Sequence, residues 1–147
     1  MRVNFRNLAG RPLERWVALL AAAHYDAGER VLIRTGSTER VKALDSALWT
    51  YDPGSFLPHG TSELGRVNEQ PVFITDGEDN TNEATALIVT DQSVTPASDG
   101  FTSVDYVFDR TDPDAREAAR QRWRNCKEAG YEPVYWEASA EGWRRAS

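Results

Sequence analysis

Positive charge and one aromatic side chain are concentrated between Ala115 and Lys127. This segment holds five basic residues and a single acid, Glu117, although the formal net charge of the 147-residue chain is −6. If the segment is helical, with about 100° between successive residues, four of the basic residues share a sector of about 80° and Trp123 lies at its edge. Those four are Arg116, Arg120, Arg124 and Lys127. The pattern suits an anionic partner that also offers an apolar group.

Two interpretations of this charged stripe stay open. Charged residues often form the solvated face of a helix, but arginines four residues apart repel each other mildly, so folding alone does not require them. A partner would be either an acidic peptide that ends in an apolar residue or a short single-stranded nucleic acid. The peptide would bind with about micromolar affinity. Nucleic acid would be repelled by the rest of an acidic chain, so it would bind weakly and be released by salt.

The other side of the same segment is predicted to dock on the rest of the protein. Small and apolar residues share this side, namely Ala115, Ala118, Ala119, Cys126 and Ala129. Arg122 falls among them, and we expect its charged head to turn outward to solvent.

A second candidate surface is the aromatic loop that follows Trp49. Trp49, Tyr51, Phe56 and Leu57 cluster in a stretch that also carries prolines and glycines. Such residues either cover the edge of a core or form an exposed anchor for another protein, because Trp and Tyr are favoured at binding hot spots.

Motifs for nucleotide, metal or covalent chemistry are missing from the sequence. Neither a G-x-x-x-x-G-K-[ST] loop nor a G-x-G-x-x-G turn is present. The two histidines, His24 and His59, lack metal-ligand spacing, and the acidic stretch 76–83 lacks the spacing of a calcium loop. Cys126 is expected to be an inert, buried thiol. We therefore predict no catalytic residue, no metal site and no cofactor.

The elements that position these residues alternate between strand and helix, which predicts a single α/β domain with a mostly parallel sheet and helices on both faces. We predict strands at 3–5, 31–33, 72–74, 86–89, 104–108 and 134–136, and helices at 12–28, 37–49 and 112–129. The stretch 51–70 reads as irregular. The domain is expected to span 1–137, followed by a polar, frayed tail at 138–147. With neither a signal peptide nor a long apolar stretch, we expect a cytoplasmic protein that does not contact a membrane.

Several blocks of sequence together resemble the chi subunit of the bacterial DNA polymerase III holoenzyme. The most specific is Ala47-Leu48-Trp49 followed by Ser55-Phe56-Leu57-Pro58-His59, and the segment Ala119-Arg120-Gln121-Arg122-Trp123-Arg124 fits the last helix of that family. The resemblance covers almost the whole chain. It implies a Rossmann-like sheet that has no nucleotide-binding loop, and a bridging subunit of the clamp loader rather than an enzyme.

The same resemblance implies partners for both surfaces. Members of the family hold the acidic C-terminal tail of single-stranded-DNA-binding protein on their last helix, so they contact DNA only indirectly. The matching positions are Arg116, Arg120, Trp123 and Arg124, with Lys127 beside them. The family's psi subunit docks on an aromatic surface that matches Trp49 and Phe56, with Tyr51 and Leu57 nearby. Another clamp-loader subunit or a repair helicase would be an alternative partner at that surface, and weak binding of single-stranded nucleic acid is the alternative function.

Overall fold

The computed structural model describes residues 1–50, 57–61, 70–77, 82–91 and 100–146. In chain order its elements are β1 (Arg2–Asn7), α1 (Leu13–Asp26), β2 (Val31–Arg34), α2 (Thr38–Thr50), β3 (Gly60–Thr61), β4 (Val72–Thr75), β5 (Ala86–Val89), β6 (Ser103–Phe108), α3 (Pro113–Glu128), β7 (Val134–Ser139) and β8 (Gly142–Arg145). The predicted alternation of strands and helices is confirmed.

The strands form one sheet in the order β3-β4-β2-β5-β6-β1-β7-β8. Every neighbouring pair is parallel except β7 and β8, which run antiparallel. The central strands β2 and β5 are buried along their whole length, as expected for parallel strands covered on both faces. The predicted α/β fold with a mostly parallel sheet is therefore confirmed.

Helices cover the two faces of the sheet unequally. Helices α1 and α2 pack on one face through buried residues such as Val17 and Leu44. Helix α3 packs on the other face, where Phe5 and Leu87 form part of the core. Because successive side chains of a strand point to opposite faces, Phe5 of β1 faces α3 whereas the next residue, Arg6, faces α1.

Local signals explain how α3 begins and ends. Asp112 caps the helix, because its carboxylate accepts a hydrogen bond from the backbone N–H of Asp114 at 3.0 Å. Pro113 occupies the first turn, where its missing N–H costs little. Gly130, at φ +91°, follows the C-cap residue Ala129. Ala129 is exposed because the helix has already ended, so its predicted place on the docking face is wrong, whereas Ala115 is buried.

Two expectations about the chain outside the main elements are wrong. The polar tail is not frayed over Ala138 to Arg145: β7 continues to Ser139, and β8 pairs with it antiparallel. Trp143 explains this order, since its ring packs edge-on against that of Trp16 with centroids 5.1 Å apart. The stretch predicted as irregular contains the short strand β3, which pairs in parallel with β4.

Among the described helices, none is long and apolar enough to cross a membrane.

Candidate functional site

Helix α3 forms one wall of a groove of about 460 Å³, which we call the α3 groove. Strands β1, β6 and β7 supply the floor and the opposite wall. The lining residues are Phe5, Phe108, Arg110, Arg116, Ala119, Arg120, Trp123, Arg124 and Tyr135. The structure thus brings together four of the five residues predicted for tail binding. The fifth, Lys127, is exposed in the last turn of α3 and does not line the groove.

Aromatic rings build the floor of the α3 groove. The ring of Trp123 meets that of Phe5 edge-on, with centroids 5.2 Å apart, and Phe5 in turn lies 5.1 Å from Tyr106. Phe108 and Tyr135 form a second edge-on pair, with centroids 6.3 Å apart. These contacts fix the rings before any partner arrives, and pre-formed apolar pockets lose less entropy on binding.

Guanidinium groups form the rim of the same groove. The side chains of Arg120 and Arg124 are 57% and 55% exposed, and their ion pairs with Glu117 are long, at 3.8 and 3.6 Å. Arg124 also donates a hydrogen bond to the Oε1 atom of Gln121 at 2.9 Å. Exposed pairs at such distances contribute little, about 0–1 kcal/mol each. In the described part of the chain, Arg120 and Arg124 share the single acid Glu117, so these two arginines and Arg116 leave the rim cationic and open to an anion.

Arg122 has a different role from the other arginines of α3. Its guanidinium carbon lies 4.8 Å from the centroid of the Tyr106 ring, and its Nη2 atom donates to the carbonyl oxygen of Asp91 at 3.3 Å. Burial lowers the pKa of this guanidinium. The expectation that its head turns outward to solvent is therefore wrong, because a ring and a carbonyl at the sheet surface hold it inward.

Four groove residues were not predicted as site residues from the sequence, namely Phe5, Phe108, Arg110 and Tyr135. Arg110 follows β6 directly and lies outside the helical window in which the charge was counted. The carboxyl ends of parallel strands are a frequent place for ligands, and that rule could have marked Phe108 and Arg110. Tyr135 carried no comparable signal, because its position in the groove depends on the pairing of β7 with β1.

The second predicted surface is only partly described. Trp49 is 54% exposed at the end of α2, and its ring lies 4.7 Å from that of His59. The Nδ1 atom of His59 donates a hydrogen bond to the carbonyl oxygen of Leu57, and its Nε2 atom lies 3.0 Å from the Oδ1 atom of Asp45. Leu57 itself is buried in the core and supports this surface from below. Tyr51 and Phe56 lie outside the described residues.

A buried charge cluster occupies the opposite face of the sheet. Asp105 accepts a hydrogen bond from the Nε atom of Arg6 at 2.7 Å and contacts the Nε2 atom of His24 at 2.9 Å. The other ring nitrogen of His24 faces Glu29 at 3.3 Å. The guanidinium carbon of Arg6 lies 4.6 Å from the centroid of the Trp136 ring. Charge is thus balanced inside the fold.

The pKa values of this cluster follow from its contacts. Burial by itself would lower the pKa of His24, but hydrogen bonds and charge from Asp105 and Glu29 outweigh it and raise the pKa above 6.5. Burial would likewise raise the pKa of Asp105, but His24 and Arg6 outweigh it and lower the pKa below 3.8. Both ring nitrogens of His24 are engaged, which leaves neither free for a substrate or a metal.

Cys126 is half-buried beside the α3 core rather than fully buried as expected, and burial raises the pKa of its thiol. A raised pKa keeps the thiol protonated and unreactive. Within the described ranges, no group of three His, Cys, Asp or Glu side chains could hold a metal ion.

Comparisons with known proteins agree on one family. Residues 1–134 match the family described as DNA polymerase III chi subunit, HolC. The protein named DNA polymerase III subunit chi of Haemophilus influenzae is 30% identical over 114 residues, which are 76% of this chain and 78% of that protein. Its counterpart by name in Escherichia coli is 27% identical over 121 residues, 81% of each chain.

A third relative matches over a shorter stretch. A probable DNA polymerase III subunit chi of Rickettsia prowazekii is 30% identical over 77 residues, 52% of this chain, so this chain spans about half the length of that protein (46%). The family match covers most of the chain and agrees with the α/β sheet. This chain therefore belongs to the DNA polymerase III chi subunit family.

Proposed function

We propose that this chain is a non-catalytic accessory subunit of the DNA polymerase III clamp loader, and that its α3 groove holds the acidic C-terminal tail of single-stranded-DNA-binding protein. Family membership supports the accessory role in DNA replication. The observation that carries the tail proposal is the α3 groove itself, which combines an aromatic floor with four arginines in a chain of net charge −6.

Both the acidic groups and the terminal apolar side chain of such a tail find matching chemistry in the groove. The terminal carboxylate and the acidic side chains would pair with Arg116, Arg120 and Arg124, because a guanidinium can bind a carboxylate through two parallel hydrogen bonds. The terminal apolar side chain would pack between Trp123 and Phe108, which contributes about 1.5–3 kcal/mol. Exposed ion pairs add about 0–1 kcal/mol each. After the cost of association, about micromolar affinity results.

The direct test is a fluorescence-anisotropy titration with a labelled peptide that copies the acidic C-terminus of the cognate single-stranded-DNA-binding protein. The native protein should bind it with about micromolar affinity. The double variant Arg120→Ala/Arg124→Ala should bind at least about tenfold more weakly, because it removes two charge-assisted contacts. Arg144→Ala is a matched control, since Arg144 is an exposed arginine that does not line the groove. Undiminished binding by the double variant would refute the assignment of the site.

A second peptide separates the two parts of the groove. Replacing the terminal apolar residue by a polar one keeps the negative charge but removes the group that packs on Trp123. We expect this peptide to lose about tenfold or more in affinity, in line with about 1.5–3 kcal/mol of apolar burial. Equal affinity for both peptides would mean that charge alone attracts the tail, which the aromatic floor argues against.

The surface around Trp49 would dock on psi or on another clamp-loader subunit. An exposed tryptophan whose ring is held against His59 is a suitable hot spot, since it is already ordered before binding. Trp49→Ala should abolish co-purification with the clamp-loader partner and leave tail binding intact. Persistent co-purification would place the docking surface elsewhere. A repair helicase would be a competing occupant of the same surface, and competition between the two partners would reveal it.

A further inference from the structure

Strands β1 and β7 carry a second groove on the face opposite the α3 groove. Helix α1 packs mainly on β2, β5 and β6, and its residue His24 borders the groove at the amino ends of β1 and β7. The resulting space of about 640 Å³ is called the amino-end groove. Neighbouring residues of one strand serve the two grooves: Tyr135 lines the α3 groove, and Val134 and Trp136 line the amino-end groove.

Aromatic rings in this groove lie at the surface of a sheet. Trp136 is fixed by a hydrogen bond from its Nε1 atom to the Oδ1 atom of Asn4 at 2.9 Å, and by the guanidinium of Arg6 against its ring. Tyr131, just before β7, is 39% exposed and is one of three large apolar or aromatic residues that stand out as exposed in the described chain. Rings presented on a sheet, and not at the bottom of a deep apolar hole, suit the stacking of bases.

The charge of the groove suits a small number of phosphates. Arg2 and Arg145 are exposed on its lining, opposed by Glu132. Arg6 and His24 also line it, where they contact Asp105 and Glu29. Two exposed guanidinium groups beside aromatic rings provide stacking and backbone contact at the same place, which are the two requirements for binding single strands.

We propose that the amino-end groove binds a short stretch of single-stranded nucleic acid, with bases against Tyr131 and Trp136 and phosphates against Arg2 and Arg145. This site is separate from the α3 groove and does not depend on tail binding there. An acidic peptide is the less suitable occupant, because it lacks planar groups to stack and would need a deeper apolar pocket. With two phosphate contacts, the affinity depends on salt with a log–log slope of about −1.4.

The test is a titration of a labelled oligo-dT of eight nucleotides with the protein at low salt. The native protein binds with a dissociation constant near about 10⁻⁴ M, and the affinity falls with salt at the slope given above. Arg145→Glu weakens binding at least about fivefold, because it turns one phosphate contact into a repulsion. Tyr131→Ser, an exposed change that does not disturb the core, weakens it about tenfold through lost stacking.

Two controls identify the groove. Arg144→Glu makes the same change of charge on the same strand as Arg145→Glu. Arg144 pairs with Glu137 across the ladder, so it faces away from Trp136 and Arg145. The affinity of the Arg144→Glu variant for the oligonucleotide stays within about twofold of the native value. The Arg120→Ala/Arg124→Ala variant binds the oligonucleotide as the native protein does.

Each of the following results would overturn the proposal. They are an absence of binding at low salt, an equal loss in Arg144→Glu and Arg145→Glu, and a loss in the α3 variant. Displacement of the oligonucleotide by the acidic tail peptide would also overturn it, because the two ligands would then share one site.

Discussion

The α3 groove and the buried charge cluster use the same residue types for opposite purposes. Both place arginines beside tryptophan, and both lie on strand β1, on opposite faces. In the cluster, Arg6 meets Asp105 at 2.7 Å inside the protein and its charge is balanced. In the groove, Arg120 and Arg124 are more than half exposed and share one distant acid. The degree of charge balance, and not the residue type, separates a structural arginine from one that is available to a partner.

The largest effect is expected from breaking the cluster. Arg6→Met leaves the buried Asp105 without one of its two cationic partners, and removal of one partner of a buried ion pair costs about 3–5 kcal/mol. Urea unfolding should show a loss of free energy of unfolding in that range. The Arg120→Ala/Arg124→Ala variant should change it by less than about 0.5 kcal/mol, as surface substitutions usually do. If Arg6→Met cost less than about 1 kcal/mol, the claimed contrast between the two regions would fail.

A smaller effect should distinguish the groove seen in the structure from the charged stripe read in the sequence. Arg110 lines the α3 groove although it lies outside the stripe, whereas Lys127 belongs to the stripe but does not line the groove. Arg110→Ala should therefore weaken tail-peptide binding about fivefold or more, since a charge-assisted contact is lost. Lys127→Ala should change it by less than about twofold. The reverse order, measured by calorimetry, would favour a binding face along the outer side of α3.

The smallest effect concerns the pH dependence of stability. Since the pKa of His24 is raised on folding, its protonated form stabilises the protein below 6.5, and this contribution disappears as pH rises through the raised value. Asp105 has a lowered pKa, so its contribution is present above 3.8 and disappears as pH falls through the lowered value. In thermal melts, the cluster should contribute most to stability between pH 3.8 and pH 6.5. The variant His24→Gln should not show the loss of stability that the native protein shows as pH rises. If the loss had the same size in this variant, groups other than His24 would cause it.

Local patterns predicted much of this molecule. The strand–helix alternation came from short apolar runs and helical spacing, and the face of α3 that lines the groove came from the positions of Arg116, Arg120 and Arg124. Such features are set by residues near one another in the chain. The docking of Trp123 on Phe5 and the pairing of Arg6 with Asp105, 99 residues apart, depend on the strand order and could not be read locally.

Strand β8 shows a different reason for a missed element. Its residues, Gly142 to Arg145, include two arginines and only one large apolar side chain, so they resemble a polar tail. The strand forms because β7 offers a free edge and because Trp143 packs on Trp16. Charged residues on the last strand of a sheet also protect its edge from pairing with other chains. A lone tryptophan in a polar terminal segment was the available signal.

The central claim, that tail binding takes place in the α3 groove, is tested most directly by NMR of the five tryptophan indole N–H groups during addition of the acidic tail peptide. Trp123 lines the α3 groove, Trp49 lies on the second predicted surface, and Trp143 packs in the core beside Trp16. The account predicts a saturable shift of the Trp123 signal, with the Trp49 and Trp143 signals unchanged. A shift of the Trp49 signal with Trp123 unchanged would contradict it and place the tail on the second surface.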